Sequence, residues 1–191
     1  MKGFIRKYIM KRALFALALA AALPMSAQAA ERSYSYVELD YVNAEFDFGP
    51  GVDDNFDGAA VRGSVKFGES NFYGFGSYAD IEDLTQTDLG VGYAHNLSDN
   101  LDLVTELAWR NTDAGSFDAD DTRVSVGLRG NLADNFEGSI KANYIDGDAY
   151  DSEFGGTIGG QFKFNDTWGF TGESEFVNDD TIYSVGVRAS F

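Results

Sequence analysis

From residue 34 onward apolar and polar side chains trade places at almost every step, and the charges keep to one side of that alternation. The clearest stretch is 183–191. Tyr183, Val185, Val187, Ala189 and Phe191 form one face, and Ser184, Gly186, Arg188 and Ser190 the other. A period of two identifies a β-strand, because successive side chains on a strand point to opposite faces. Ten such segments can be read, at 34–43, 58–67, 72–80, 87–95, 101–110, 122–130, 136–145, 154–164, 168–176 and 182–191. Glycine and serine blur the pattern at 72–80 and 168–176.

The charges decide how such strands are used. Five of the 14 Lys and Arg (Lys2, Arg6, Lys7, Lys11, Arg12) fall before residue 30. Of the rest, Arg62, Lys66, Arg110, Arg123, Arg129, Lys141, Lys163 and Arg188 lie opposite the apolar stripe or at a segment end, and Arg32 lies outside the segments. Glu38, Asp40, Asp88, Asp102, Glu106, Glu137, Glu173 and Glu175 share the charged face. A soluble β-domain would turn the stripe inward and the charges outward. Two features favour the reverse.

The stripe's aromatics gather at segment ends, with Phe67, Phe72, Tyr93, Phe136, Phe164, Trp168 and Phe191 at one end and Tyr41, Tyr78, Trp109, Tyr144, Phe176 and Tyr183 at the other. Two aromatic belts around an aliphatic band suit two membrane–water interfaces. The charges also complement one another. Glu38 and Asp40 would lie between strands bearing Arg62 or Lys66 and Arg188, Asp102 and Glu106 beside Arg123 and Arg129, and Glu173 and Glu175 beside Arg188. The expected fold is therefore all-β: an antiparallel up-and-down transmembrane barrel of ten strands, or of eight. No stretch after residue 30 approaches the ~20 apolar residues of a spanning helix, whereas a spanning strand needs only ~10 residues with alternate ones apolar.

Residues 1–29 read as a secretory signal. Lys11 and Arg12 supply the basic end, 13–23 the apolar core and Ala27-Gln28-Ala29 a small-x-small cleavage site. Met10 alone would begin an ordinary signal of this kind, and residues 30–191 form the barrel. Cysteine is absent, which removes disulfide and thiolate chemistry. The formal charge of −17 argues against non-specific nucleic-acid binding.

The connections alternate in character. Gly68–Asn71, Asn96–Asn100, Asn131–Asn135 and Asn165–Thr167 are short, and Asn and Asp suit their tight turns. Those near 44–57, 81–86, 111–121, 146–153 and 177–181 are mostly longer, rich in acids and free of Lys and Arg. Short turns on one rim and longer loops on the other is a transmembrane-barrel pattern. Clustered carboxylates are what hard cations require, so Asp118 and Asp120, with Asp146 and Asp148, are the candidate ligands for Ca²⁺ or Mg²⁺, which would bridge the loops to lipopolysaccharide phosphates. They lack EF-hand spacing, and solvated acidic loops are the plainer reading.

The last strand resembles the terminal strand of Gram-negative outer-membrane barrels, with Ser184, Gly186, Ala189 and Phe191 in the positions that signal assembly. Signal peptide, alternating segments, Asn-rich turns and Phe191 together resemble the small barrels of the opacity, OmpX and Ail type. Tyr34-Ser35-Tyr36-Val37-Glu38, Val91-Gly92-Tyr93-Ala94-His95 and 161–169 (QFKFNDTWG) look like a xanthomonad family of small outer-membrane proteins once proposed as a secreted elicitor. The resemblance implies an outer-membrane location, contact with membrane lipid and lipopolysaccharide, and insertion by the barrel assembly machinery. It carries over no catalytic residue and no cofactor.

His95, the single histidine, stands at a short turn with the parity of the apolar stripe and with no evident nucleophile beside it, so an enzyme is not expected. The charged face then lines a narrow bore. Arg62, Arg123, Arg129 and Arg188 against Glu38, Glu106, Glu173 and Glu175 read as a salt-bridged plug. The inward glycines Gly90, Gly92, Gly127, Gly155, Gly159 and Gly186 leave room for the alternative, a narrow cation-preferring channel. The expected role is structural or surface interaction through acidic extracellular loops.

Overall fold

The alternating segments become ten antiparallel strands in a computed structural model that describes residues 32–47, 53–115 and 117–191. The expected leader lies outside the described residues. The strands are β1 (Tyr36–Asp47), β2 (Asp53–Lys66), β3 (Phe72–Ile81), β4 (Leu84–Ser98), β5 (Leu101–Asp113), β6 (Asp118–Ala133), β7 (Phe136–Gly147), β8 (Glu153–Lys163), β9 (Trp168–Val177) and β10 (Asp180–Ser190). Each pairs with its neighbours in the chain, and β1 pairs with β10 to close the barrel. Closure gives every strand two partners, so no backbone edge is left for lipid or another chain to satisfy.

The two faces fall as the charge pattern requires of a membrane-spanning barrel. Leu89 and Val185 are 57% and 58% exposed on the outside, whereas Glu38 and Ser184 are 2% and 4% exposed on the inside. Leu107, Val124, Val126, Ile140 and Ile158 continue the apolar exterior. Aromatics bracket it at both rims, with Phe72 packed on Tyr93 and Phe164 on Phe170 at one end and Tyr144 on Phe154 at the other. This arrangement excludes the soluble domain with an inward stripe.

The connections differ from expectation in a specific way. Strands run on into the acidic segments, so Glu45, Asp57, Asp113, Asp118, Asp120, Asp121 and Asp146 stand in paired β-structure rather than in loops. On this upper rim the turns 82–83 and 178–179 have two residues each, with Glu82 and Asn178 in the left-handed backbone region. On the lower rim, Asn96-Leu97-Ser98-Asp99-Asn100 and Asn131-Leu132-Ala133-Asp134-Asn135 shrink to the two-residue turns 99–100 and 134–135. Each is preceded by a register shift that leaves Leu97 or Leu132 unpaired and exposed. The rims thus differ in how far the strands rise and not in turn length.

Candidate functional site

Inward side chains of all ten strands converge in the bore, which fills in three levels. At the lower mouth the segment before β1 folds across the opening. Arg32 grips Asp102 with two hydrogen bonds of 2.8 Å and donates a third to the Asp99 carbonyl. The Tyr34 hydroxyl donates to the same carboxylate at 2.8 Å, its carbonyl accepts from Ser64, and its ring lies between Tyr73 and the Arg129 guanidinium. Burial raises the Tyr34 hydroxyl pKa, and Arg129 opposes the shift. Lys66 stands exposed on the rim of an open vestibule of about 400 Å³ beside Asn71 and Asn96.

The middle of the bore is ionic. Arg188 pairs with Glu38 and lies over the Tyr36 ring. Arg62 reaches Glu173 at 2.7 Å, Ser184 at 3.0 Å and Asp40 at 3.3 Å. Arg110 holds Asp88 and Glu175, both at 2.8 Å, and Arg123 meets the other Glu175 oxygen at 3.0 Å. Lys141 and the Tyr73 hydroxyl share Glu106 at 3.0 and 2.7 Å. Lower down, Glu137 takes Arg129 and, at 3.2 Å, Lys163. Several of these pairs cross the bore: two strands separate Arg62 from Glu173, and three separate Arg110 from Glu175.

The upper level is apolar. Val42, Ala44, Ala60, Ala79 and Ile81 form a buried cluster, with Phe56, Leu84 and Ile182 packed on it. At the same rim, Asp121 accepts the Ala149 and Tyr150 amides of the turn 148–152. Burial, reinforced by the nearby Asp180, pushes the Tyr150 hydroxyl up to about 12.

Most expected lumen residues are thus brought together, but several partners change. Glu38 and Asp40 do face Arg62 and Arg188. Asp102 and Glu106, however, bind Arg32 and Lys141 rather than Arg129 and Arg123, and Glu173 and Glu175 bind Arg62, Arg110 and Arg123 rather than Arg188. Adjacency along the sheet fixes which backbones meet, whereas a long side chain inside a narrow cylinder reaches whatever stands across from it. Arg32 and the Tyr34 and Tyr73 hydroxyls belong to the network without a charge pattern that marked them. Arg32 and Tyr34 had position as their signal, standing in the segment next to the mouth, whereas Tyr73 lies within β3.

Several of the inward glycines are covered by neighbouring side chains. A side chain at Gly92 would meet the Tyr73 ring at 2.2 Å, at Gly90 the Phe75 ring at 2.4 Å, and at Gly186 the Asp40 carboxylate at 2.2 Å. Their space is occupied by neighbouring side chains. Two cavities of about 90 and 110 Å³ lie in the bore, and both are lined by Tyr36, Tyr73, Glu106, Lys141, Glu173 and Arg188.

Outside the bore, Asp118 and Asp120 both accept from the Asn111 amide, at 2.7 and 3.0 Å, and Asp146 accepts from Ser152 at 2.7 Å. Among the described residues, no three of His, Cys, Asp and Glu gather as a metal-binding set. Asp118, Asp120, Asp146 and Asp148 therefore do not form a preassembled cage. His95 faces outward at the lower rim, stacked on Tyr93. In β10, Ser184 and Gly186 face the bore, Ala189 faces outward, and the Phe191 amide bonds the Ser35 carbonyl.

No family model matches the chain, and no curated protein sequence does. Solved structures do. The KdgM porin in complex with disordered oligogalacturonate superposes with a TM-score of 0.53 at 13% identity, covering 81% of this chain and 99% of that one. The KdgM porin alone gives 0.51 at 12% identity over the same shares. The likeness is one of fold. A remoter match is Ail, the attachment invasion locus protein of Yersinia pestis, with a TM-score of 0.36 at 11% identity over 84% of this chain and 100% of that one.

Proposed function

We propose that this protein is a small outer-membrane barrel of a Gram-negative bacterium that does not conduct, and that works through its acidic upper rim. The observation that carries this reading is the Arg110–Glu175 pair, which joins β5 to β9 across the bore at 2.8 Å. A conducting pore leaves its charged groups facing a continuous water path, whereas here the opposing charges neutralise one another inside the passage. An inward apolar cluster and a segment folded over the other mouth complete the closure.

The upper rim then carries the role. Asp57, Asp80, Asp113, Asp118, Asp120 and Asp146 stand above the aromatic belt on strands that continue past it. At the height of lipopolysaccharide phosphates, Ca²⁺ or Mg²⁺ would join these acids to the lipid, each side supplying part of the oxygen shell. The pattern of Ser184, Gly186, Ala189 and Phe191 supports insertion by the barrel assembly machinery, and the resemblance to the xanthomonad small outer-membrane proteins supports the location. Neither a catalytic group nor a cofactor enters this reading.

The two cavities in the bore favour a second reading, a narrow cation-preferring channel that opens when the central pairs part. Planar-bilayer recording of the refolded mature chain separates the two. A silent bilayer, with folding confirmed by a heat-dependent gel shift, supports the plugged barrel. Discrete cation-selective openings that are lost when Glu38 and Glu106 are neutralised establish the channel instead.

A further inference from the structure

The ionic network contains one acid too many at one point. Glu38 and Asp40 stand two residues apart on the inner face of β1, and Glu173 on β9 faces them. The cations in reach are Arg62 from β2, Arg188 from β10 and Lys141 from β7, the last shared between Glu173 and Glu106, so four carboxyl groups meet three cations. Glu173 and Glu38 are satisfied by direct charge-assisted hydrogen bonds. Asp40 is not. Its side chain is 1% exposed, and neither of its oxygens has a hydrogen-bond donor. Arg62 Nε lies 3.3 Å away without the alignment of a hydrogen bond. Its register partners are Gly186 on β10 and Ala60 on β2, neither with a side-chain donor, and the nearby Ser184 hydroxyl is engaged with Arg62.

A buried ionised carboxylate without a donor is among the most costly groups a protein can hold. The Asp40 carboxyl also stands two residues from Glu38 on the same inner face of β1, so two acceptors are neighbours and no donor reaches Asp40. Neighbouring carboxyl groups resolve this when one of them binds a proton.

We propose that Asp40 is a proton-binding site, its carboxyl holding a proton beside the Arg188-paired Glu38 in the folded barrel at neutral pH. A metal cation does not fit the place. Asp40 Oδ1 is pressed so closely on the backbone opposite that a Cβ on Gly186 would fall 2.2 Å from it, and 2.4 Å from the Leu39 carbonyl. A proton needs no added volume. It also balances the site, because three carboxylates and three cations remain once one acid is neutral.

The inference does not depend on whether the lumen conducts, and it is tested on the purified chain refolded in detergent. Infrared spectroscopy in light and heavy water is expected to show a protonated-carboxyl C=O band at neutral pH that shifts on deuteration and fades as pH rises. Asp40→Asn is expected to abolish the band while preserving the heat-dependent gel shift. Glu38→Gln is expected to abolish it as well, since its amide would donate to an ionised Asp40. Absence of the band in the wild-type protein, or its survival in a folded Asp40→Asn variant, overturns the proposal. Should Asp40→Asn fail to fold, the wild-type band and its loss in Glu38→Gln decide the matter.

Discussion

The Tyr73 ring covers Gly92 so closely that a β-carbon there would sit 2.2 Å from Cζ. The two residues are register partners on β3 and β4. Overfilling a packed site costs about 1–3 kcal/mol. Gly92→Ala is therefore expected to lower barrel stability by about that much in urea unfolding, and Tyr73→Ala in the same chain to recover part of the loss. An unchanged midpoint in the single variant would show that the ring moves aside freely.

Glu175 is the shared anion of Arg110 and Arg123. Breaking one partner out of a buried ionic set costs about 3–5 kcal/mol, because the opposite charge stays buried and unpaired. Glu175→Gln is expected to destabilise toward that range and to produce the first conductance in planar bilayers, since the cross-bore pair is what closes the middle of the passage. A variant as stable and as silent as the wild type would place the closure elsewhere.

The mouth below behaves separately. Asp102→Asn leaves the Arg32 fork with a neutral partner. The segment before β1 should then release, seen as cleavage by a protease at Arg32 under conditions that leave the wild-type chain intact, with the heat-dependent gel shift retained. Equal resistance of both chains would mean that the Tyr34 contacts alone hold the segment.

Tyr150 gives an alkaline signature. Its folded-state pKa of about 12 lies above the ordinary tyrosine value near 10. The folded state therefore holds this proton more tightly than the unfolded chain. The stability it contributes is complete below pH ~10 and is lost as pH rises toward 12. Two units correspond to at most ~2.7 kcal/mol, less for a group that retains some solvent contact. Tyr150→Phe is expected to flatten the fall in the unfolding midpoint over that window, and an unchanged slope would assign the fall to other groups.

Outside the barrel, Val126 sits in the middle of the apolar band, paired with Thr105 and Ala142. A lysine at a lipid-facing midplane position costs about 2–4 kcal/mol. Val126→Lys should show that loss when unfolding is followed from lipid vesicles. A neutral substitution would contradict the assignment of this face to lipid.

The architecture was legible because alternation and charge parity act over the whole chain. Leu107, Trp109 and Arg110 need only their sequence positions to be sorted between the two faces. Strand ends were harder, since the acids at 111–121 resemble a loop. Pairing such as Asn111 with Asp120 is sustained by the neighbouring strand and leaves no local pattern. The partner changes at Asp102 and Glu175 were hidden for another reason. They depend on the width of the bore and on the reach of Arg32 and Arg110 across it, which are three-dimensional quantities.

The rise of β5 and β6 above the aromatic belt has a consequence for recognition. Asn111, Asp113, Asp118 and Asp120 occupy a paired ladder, so their spacing is set by strand geometry, about 4.8 Å between strands and about 6.8 Å between alternate residues along one. A binding partner meets a ruled grid of oxygen atoms that is already in place, and docking need not first freeze a wandering loop. Selectivity at this rim would then depend on matching that grid, and a peptide of the same sequence, free of the barrel, would be a poor competitor.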